Sequence, residues 1–356
     1  MDAQGIATTE LKERIRDRAV SLGFDACGFA PACTAPHADA FRSWLEAGCA
    51  GDMHWMEKNP DRRTDPKLVL EEARSVIVVA RNYAPARVTQ FQDAAQNAKT
   101  PQIARYAWGD DYHQVLTPRL ECLDGFLESL GGRQRSYVDT GPVLERDYAA
   151  LAGIGWHGKS TMLISRQLGA FFFLGVILTT LELDPDKPAK DRCGRCSRCI
   201  DVCPTAAITG PHHLDARRCI AYLTIELKGA IPEEFRPLIG NRIYGCDDCA
   251  AVCPWNRFAT ASEEARFTAR EFIHHWTLRD FLSLDHAGFN RLFKGSPIKR
   301  IKRRGFLRNV CVALGNTGSH EDLPALEQAA SDPEPLIAEH AQWAIERIRL
   351  RHLGDG

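Results

Sequence analysis

The chain lacks the features that would send it across or into a membrane. Its first residues, Met1-Asp-Ala-Gln-Gly5, hold neither a basic stretch nor an apolar run, so no export signal is evident. The most apolar stretch, Leu168 to Thr179, is about 12 residues, well short of the roughly 20 that a bilayer-spanning helix needs. Net charge is lacking as well: 45 Lys and Arg against 46 Asp and Glu leave −1, so no global basic field advertises nucleic acid. These absences lead to the expectation of a cytoplasmic protein with no membrane partner, whose thiols stay reduced. At 356 residues, 44% hydrophobic and 26% charged, the chain is an ordinary globular sequence too long for one core, and two or three domains are expected.

What the chain does have is cysteine, and it is unevenly placed. Eight of the 13 fall between Cys193 and Cys253. Cys193, Cys196, Cys199 and Cys203-Pro204 follow C-x2-C-x2-C-x3-C-P; Cys246, Cys249 and Cys253-Pro254 form a second run, with Cys219 standing 27 positions before Cys246. This is the ligand pattern of two [4Fe–4S] clusters, as in bacterial ferredoxins, where the fourth Cys of each run serves the other cluster. Cys193, Cys196, Cys199 and Cys253 are therefore expected to hold one cluster, and Cys203, Cys219, Cys246 and Cys249 the other. Zinc would want isolated C-x2-C pairs and leaves the crossed C-P ends unexplained. Disulfides would need an oxidising compartment. The other five, Cys27, Cys33, Cys49, Cys122 and Cys311, read as free thiols. The 26 residues between Cys219 and Cys246 depart from a compact ferredoxin and are expected to contact something besides the clusters.

Charge is also local. Lys294, Lys299, Arg300, Lys302, Arg303, Arg304 and Arg308 lie within 15 residues that contain no acid. Such a run is either a solvated helix face or a phosphate-binding patch. It stands at the entrance of a helical tail: Gly305–Leu314 and Asp322–Ala330 read as a helix pair across Gly315-Asn-Thr-Gly318, and 333–351 as a third helix. The repeat-like turns resemble a HEAT-type unit, which offers one face to a macromolecule. That context favours nucleic acid for Lys299, Arg300, Lys302, Arg303 and Arg304.

Before the cysteines the pattern mixes helices and strands. Helices are expected over 7–22, 41–47, 115–130 and 143–152, and strands over 24–31, 75–80, 162–164 and 170–181. The polar stretch 85–102 reads as a loop. Arg105, Tyr106, Tyr112 and His113 cluster just ahead of a helix, where they either build a ligand site or simply pack. Asp139 follows a strand end; it is either a catalytic group at a strand C-terminus or the cap of the next helix. Gly153 through Ser160 matches G-x4-G-K-S, but a helix precedes it where a phosphate loop needs a buried strand, so it reads as a glycine-rich surface for another large ligand.

Taken together, these residues resemble the cobalamin-dependent epoxyqueuosine reductases over nearly the whole chain. The likeness rests on Arg105-Tyr106, Asp110-Asp-Tyr-His113, Val138-Asp-Thr-Gly-Pro142, Gly155-Trp-His-Gly-Lys159, the eight cysteines, Gly240-Asn-Arg-Ile-Tyr-Gly-Cys-Asp-Asp-Cys249, Cys253-Pro-Trp-Asn256 and the helical tail. Gly158-Lys-Ser-Thr-Met162 departs from the family's more usual Lys-Asn-Thr-Asn. The resemblance implies an α+β protein: an N-terminal α/β cobalamin-binding domain (1–184), a two-cluster ferredoxin-like module (185–260) and a HEAT-like tRNA-binding tail (261–356).

The implied reaction is the last step of queuosine formation on a tRNA with a GUN anticodon. There an epoxide, two electrons and two protons give a cyclopentene and water. The resemblance makes Asp139 the proton donor, which burial beneath the corrin would have to keep protonated. It offers Arg62, Arg105, Tyr106, His157, Lys159 and the backbone near Asp247 and Asp248 as cobalamin contacts. No Asp-x-His-x-x-Gly signature is present, so His113 and His157 are expected to hydrogen-bond and not to ligate cobalt. A flavodoxin or ferredoxin would supply electrons to a monomer. The rival readings are a corrinoid reductive dehalogenase, which usually carries an export signal and no such tail, and a plain ferredoxin-type carrier, which leaves about 190 residues before Cys193 without a task.

Overall fold

A four-stranded sheet carries the first half of the molecule. The computed structural model describes residues 8–85 and 100–354, so most of the loop expected over 85–102 lies outside the described residues. The strands are β1 (Ala26–Pro31), β2 (Ser75–Asn82), β3 (Gln134–Tyr137) and β4 (Phe172–Thr179), arranged β1-β2-β4-β3 and antiparallel at every step. The N-terminal region is therefore not α/β in the parallel-sheet sense, and the argument from strand C-termini of such sheets does not apply to Asp139. The chain remains a mixed helix and strand protein.

β2 is central because its run Val76-Ile-Val-Val79 is branched at every Cβ and can be buried on both faces. Alternate residues face opposite ways. Ile77, Val79 and Ile177 pack with Leu11 and Ile15 of α1 (Thr8–Ser21) and Leu116, Leu120 and Leu123 of α2 (Tyr112–Ser129). Val76, Val78, Val176 and Leu178 meet Tyr148 and Ala149 of α3 (Glu145–Leu151) on the other side. Burying each such branched side chain contributes about 1.5–3 kcal/mol.

The insertion before Cys246 stitches three regions together. Arg242–Tyr244 pairs in parallel with Gln102–Ile103, and Tyr222–Glu226 forms a wide π-type turn. Both lie against α4 (Lys302–Thr317), whose residues from Gly305 to Gly315 are all buried. Arg308, the last cation of the basic run, is 1% exposed: its guanidinium donates to the carbonyls of Leu223, Leu227 and Gly229 at 2.7–2.9 Å. Burial lowers its pKa to about 9. Asn309 beside it donates to Thr224 O and Ile243 O.

The tail continues with α5 (Leu323–Ala330) and α6 (Pro335–Gly354). α4 runs on through Gly315-Asn-Thr317, where a turn was expected. A Cβ at Gly315 would come within 2.4 Å of the Trp343 ring, so glycine here lets two helices approach and does not break one. One hydrophobic core unites this tail with Ile103, Ala107, Ile225, Ile243 and Tyr244. Among the described residues no helix is long and apolar enough to cross a membrane.

Arg308→Met keeps most of the side-chain bulk but leaves the buried Leu223 carbonyl and the part-buried Leu227 and Gly229 carbonyls without this donor. It should cost roughly 3 kcal/mol of stability, against almost nothing for exposed Lys299→Met. Thermal melts of the two variants check this, and equal midpoints would show that the buried guanidinium does not hold the insertion.

Candidate functional site

The cysteines come together in two nests. Cys193, Cys196, Cys199 and Cys253 line one cavity of about 220 Å³, with Cys249 at its inner side. The Cys253 thiol is pushed up to about 11 by burial and by the nearby sulfurs of Cys193, Cys199 and Cys196. Burial also raises Cys249, and its sulfur neighbours include Cys219, Cys203 and Cys199. Cys219 likewise feels Cys203, and Cys246 feels Cys249. Cys249 and Cys199 lie where the two groups of neighbours adjoin. Soft thiolates in sets of four suit iron–sulfur clusters, whose positive iron offsets charges that would otherwise repel. The Ala207 N–H donates to Cys203 Sγ at 3.2 Å, the kind of contact that tunes a cluster potential.

Lys159 belongs to the first nest. Its Nζ donates to Gly194 O at 2.7 Å and Cys196 O at 3.0 Å, so it braces the cluster-binding loop. Asp248 is also engaged within the protein, accepting from Arg242 at 2.6 Å. His157 lies 2.9 Å from Asp147, beside His37.

Asp139 stands at the other end of the site. Past β3 the chain buries Val138 and then turns through Asp139 at φ +61°, a left-handed conformation uncommon outside glycine. Tyr112 Oη donates to Asp139 Oδ2 at 2.6 Å, and the Asp139 N–H donates to Glu145 Oε1 at 2.8 Å. The side chain does not cap α3, whose N-cap is Leu144. Arg63 completes the loop's support: it donates to Gly141 O at 3.4 Å and to Trp55 O at 2.9 Å, and its own carbonyl accepts from Leu144. Arg62, proposed from the sequence, is exposed on the neighbouring position, so its neighbour Arg63 is the one that reaches this loop. Asp139 itself is exposed, and the protein alone does not provide the burial expected for it. The raised carboxyl is Glu145, pushed up to about 8 by burial and then by the Asp139 charge.

A row of aromatic rings joins the two ends. Tyr112 stacks on Phe173 with centroids 4.5 Å apart, Phe173 meets Tyr83 at 4.3 Å, and Tyr83 meets Phe171 at 5.8 Å. The Arg105 guanidinium sits 4.5 Å from the Phe171 centroid, and the Arg105 N–H donates to Asp247 at 2.7 Å. Burial lowers Arg105 to about 10 and raises Asp247, so this pair is an interior fixture. Tyr106 hydrogen-bonds Tyr244 at 3.2 Å and packs edge-on to Tyr112. The site thus runs from Asp139 along the first residues of β4 to Cys249 and Cys253. Glu145, Arg63, Tyr83 and Phe173 were not assigned roles from the sequence, whereas Tyr112 belonged to the cluster read there as either a ligand site or packing.

The structure divides the basic run. Lys299, Lys302 and Arg304 are exposed. Arg300 pairs with Glu226 at 2.8 Å and lies over the Trp55 ring, near the Asp139 loop. Arg303 is 13% exposed and tied to Asp332 and the Leu284 carbonyl, which makes it a tail fixture in place of the free phosphate contact expected.

Comparisons with known proteins add independent findings. Residues 63–140 match the family model "Epoxyqueuosine reductase QueG, DUF1730", and residues 192–256 match a 4Fe-4S double cluster binding domain. An epoxyqueuosine reductase of Xanthomonas campestris is 45% identical over 96% of this chain and 97% of its own. That of Escherichia coli K12 is 40% identical over 96% and 91%. Among solved structures, an epoxyqueuosine reductase crystallised with an epoxyqueuosine-modified tRNA-Tyr stem loop superposes with a TM-score of 0.87 at 33% identity, covering 96% of this chain and 91% of that one. A Bacillus subtilis epoxyqueuosine reductase whose catalytic Asp loop is swung out of the active site gives 0.86 at 32%, with the same coverage.

Crossed ligation makes an asymmetric prediction. Cys253→Ser should strip the cluster of Cys193, Cys196 and Cys199 and spare the other, so iron falls from about eight to about four per chain. Iron analysis with electron paramagnetic resonance reads this; loss of both clusters or of neither contradicts the assignment.

Proposed function

Because the chain belongs to the epoxyqueuosine reductase family, we propose that it reduces epoxyqueuosine to queuosine in the anticodon loop of a GUN-anticodon tRNA, with Asp139 as the proton donor. The observation that supports the site assignment is the line of contacts from Asp139 through Tyr112, Phe173 and Tyr83 to Cys253, with a carboxyl at one end of the wall and the cysteines at the other.

The residues present suit a corrinoid. A flat macrocycle with amide arms needs apolar walls and neutral hydrogen-bonding groups more than counter-ions. Half-buried Tyr83, Phe173 and Tyr112 supply such a wall, and His113 Nε2 is buried there without a hydrogen-bond partner. These residues, with Arg105 and Tyr106 behind them, would hold cobalamin. When bound, it supplies a low-valent cobalt able to take electrons singly and deliver them to carbon. The eight cysteines would hold two clusters able to supply electrons singly, which matches the two-electron demand of the deoxygenation.

Asp139 meets charge as it develops on the epoxide oxygen and transfers its proton there; the carbon–oxygen bonds break, and with two electrons and a second proton the oxygen leaves as water. The hydrogen bond from Tyr112 and the N–H contact to Glu145 aim the carboxyl. Its exposure allows water to reload the proton, and a bound substrate would bury it.

The finer assignments follow the same reading. Residues 1–184 form the cobalamin-binding domain, 185–260 the cluster module and 261–356 a HEAT-like tail. Exposed Lys299, Lys302 and Arg304, with Arg300 over Trp55, support a tRNA backbone track beside the Asp139 loop. The electron donor is an acidic flavodoxin or ferredoxin; exposed Arg192, Arg198, Arg257 and Phe258 around the first cluster's cavity support that choice. The protein acts in the cytoplasm.

Incubation with epoxyqueuosine-bearing tRNA, cobalamin and a reductant, followed by nucleoside analysis, tests the activity. Asp139→Asn should keep iron and corrinoid while losing at least about a hundredfold in turnover; near-normal turnover removes Asp139 from the role. Charge reversal at Lys299, Lys302 and Arg304 together should weaken tRNA binding and flatten its salt dependence, with a slope reduced by about three. An unchanged slope would make these residues only a solvated face.

A further inference from the structure

His37, Asp147 and His157 come from three separate stretches and converge outside the aromatic wall. Asp147 is 3% exposed on α3, while His37 precedes a helix and His157 ends a short strand. The Asp147 Oδ2 accepts the His37 backbone N–H at 2.8 Å, which fixes the carboxylate plane. Its Oδ1 lies 2.8 Å from His37 Nδ1 and 2.9 Å from His157 Nε2. The three ligand-type atoms all fall within 4.8 Å of one another, and the imidazole centroids are 4.6 Å apart.

The decisive detail is at His157. Its Nε2 is buried 2.9 Å from the carboxylate; the contact helps hold the Asp147 carboxyl below its usual range, yet it falls short of the alignment of a regular hydrogen bond. A donor N–H points at its acceptor. A metal-ligating nitrogen points past the neighbouring ligand into the space that they share. Ligands about 2.0–2.2 Å from one tetrahedral ion sit roughly 3.3–3.6 Å apart, so the 2.8 and 2.9 Å spacings here would open slightly on binding.

We propose that His37 Nδ1, Asp147 Oδ1 and His157 Nε2 bind one divalent transition-metal ion of the zinc class, with water completing the coordination on the open side of His37. Two imidazoles and a carboxylate are a borderline-hard set that suits zinc and not the iron–sulfur clusters, which take thiolates. The ion pins the turn carrying Lys159, which braces the loop of Gly194 and Cys196, to the helix carrying Glu145, which holds the Asp139 loop. It is a structural staple between the two ends of the site, and it does not depend on the reaction assigned above.

Metal analysis of untagged, anaerobically purified protein with its clusters intact, dialysed against micromolar zinc, tests this. One zinc per chain is expected beyond the iron. His37→Ala, at an exposed position that leaves the core untouched, and the milder His157→Gln should each weaken zinc binding by at least about tenfold with iron content unchanged. No zinc above background, or zinc retained in both variants, overturns the proposal. The three side chains would then be a hydrogen-bonded cluster only.

Discussion

Eight sulfurs must carry negative charge in a space that the protein keeps largely from water, and the rest of the molecule depends on how that is made tolerable. The thiols of Cys249 and Cys253 are pushed up by burial and by each other's neighbours, so without iron they would stay protonated. With iron, charge is neutralised locally and the nests become rigid. The surrounding chain serves this: Lys159 braces one loop, the Ala207 amide meets Cys203, and the insertion carrying Tyr244 and Cys246 is locked to α4 through Arg308 and Asn309. A cluster module of so few regular elements has little core of its own. It borrows one from the tail and from the strand at Gln102–Ile103.

The Asp139 carboxyl and the cysteines stand at opposite ends of one wall, and charge matters there in a similar way. A carboxyl near the thiolates would compete with them for positive charge, and Asp247, which does lie there, is raised by burial and compensated by Arg105. Asp139 instead sits on a strained, exposed turn held from three sides by Tyr112, Glu145 and Arg63. The rings between the ends are stacked and half-buried, so they hold their geometry without adding charge.

The basic run shows how one stretch of sequence can hold three different roles. Arg308 is interior and bonds carbonyls, Arg303 closes an ion pair within the tail, and Lys299, Lys302 and Arg304 face solvent. Nothing in their spacing distinguishes them, because the difference lies in what α4 packs against. Gly315 gives the same lesson in reverse: glycine beside Asn read as a turn, but Trp343 from α6 requires the missing Cβ.

The sequence by itself determined what local covalent spacing controls. Cysteine intervals are ligand geometry, so a double-cluster module was readable directly, as the family match over 192–256 bears out. The β-branched run of β2 and the apolar stripes of α1 and α2 were readable for the same reason, since both repeat within a few residues. Tertiary structure alone decided what depends on contacts between distant residues. It set the antiparallel order of the sheet, the contact of Arg63 with the Asp139 loop, the exposure of Asp139 with the raised carboxyl at Glu145, and the meeting of His37 with His157 across Asp147. Burial and charge are properties of neighbours in space, and a linear pattern names the neighbours in sequence only.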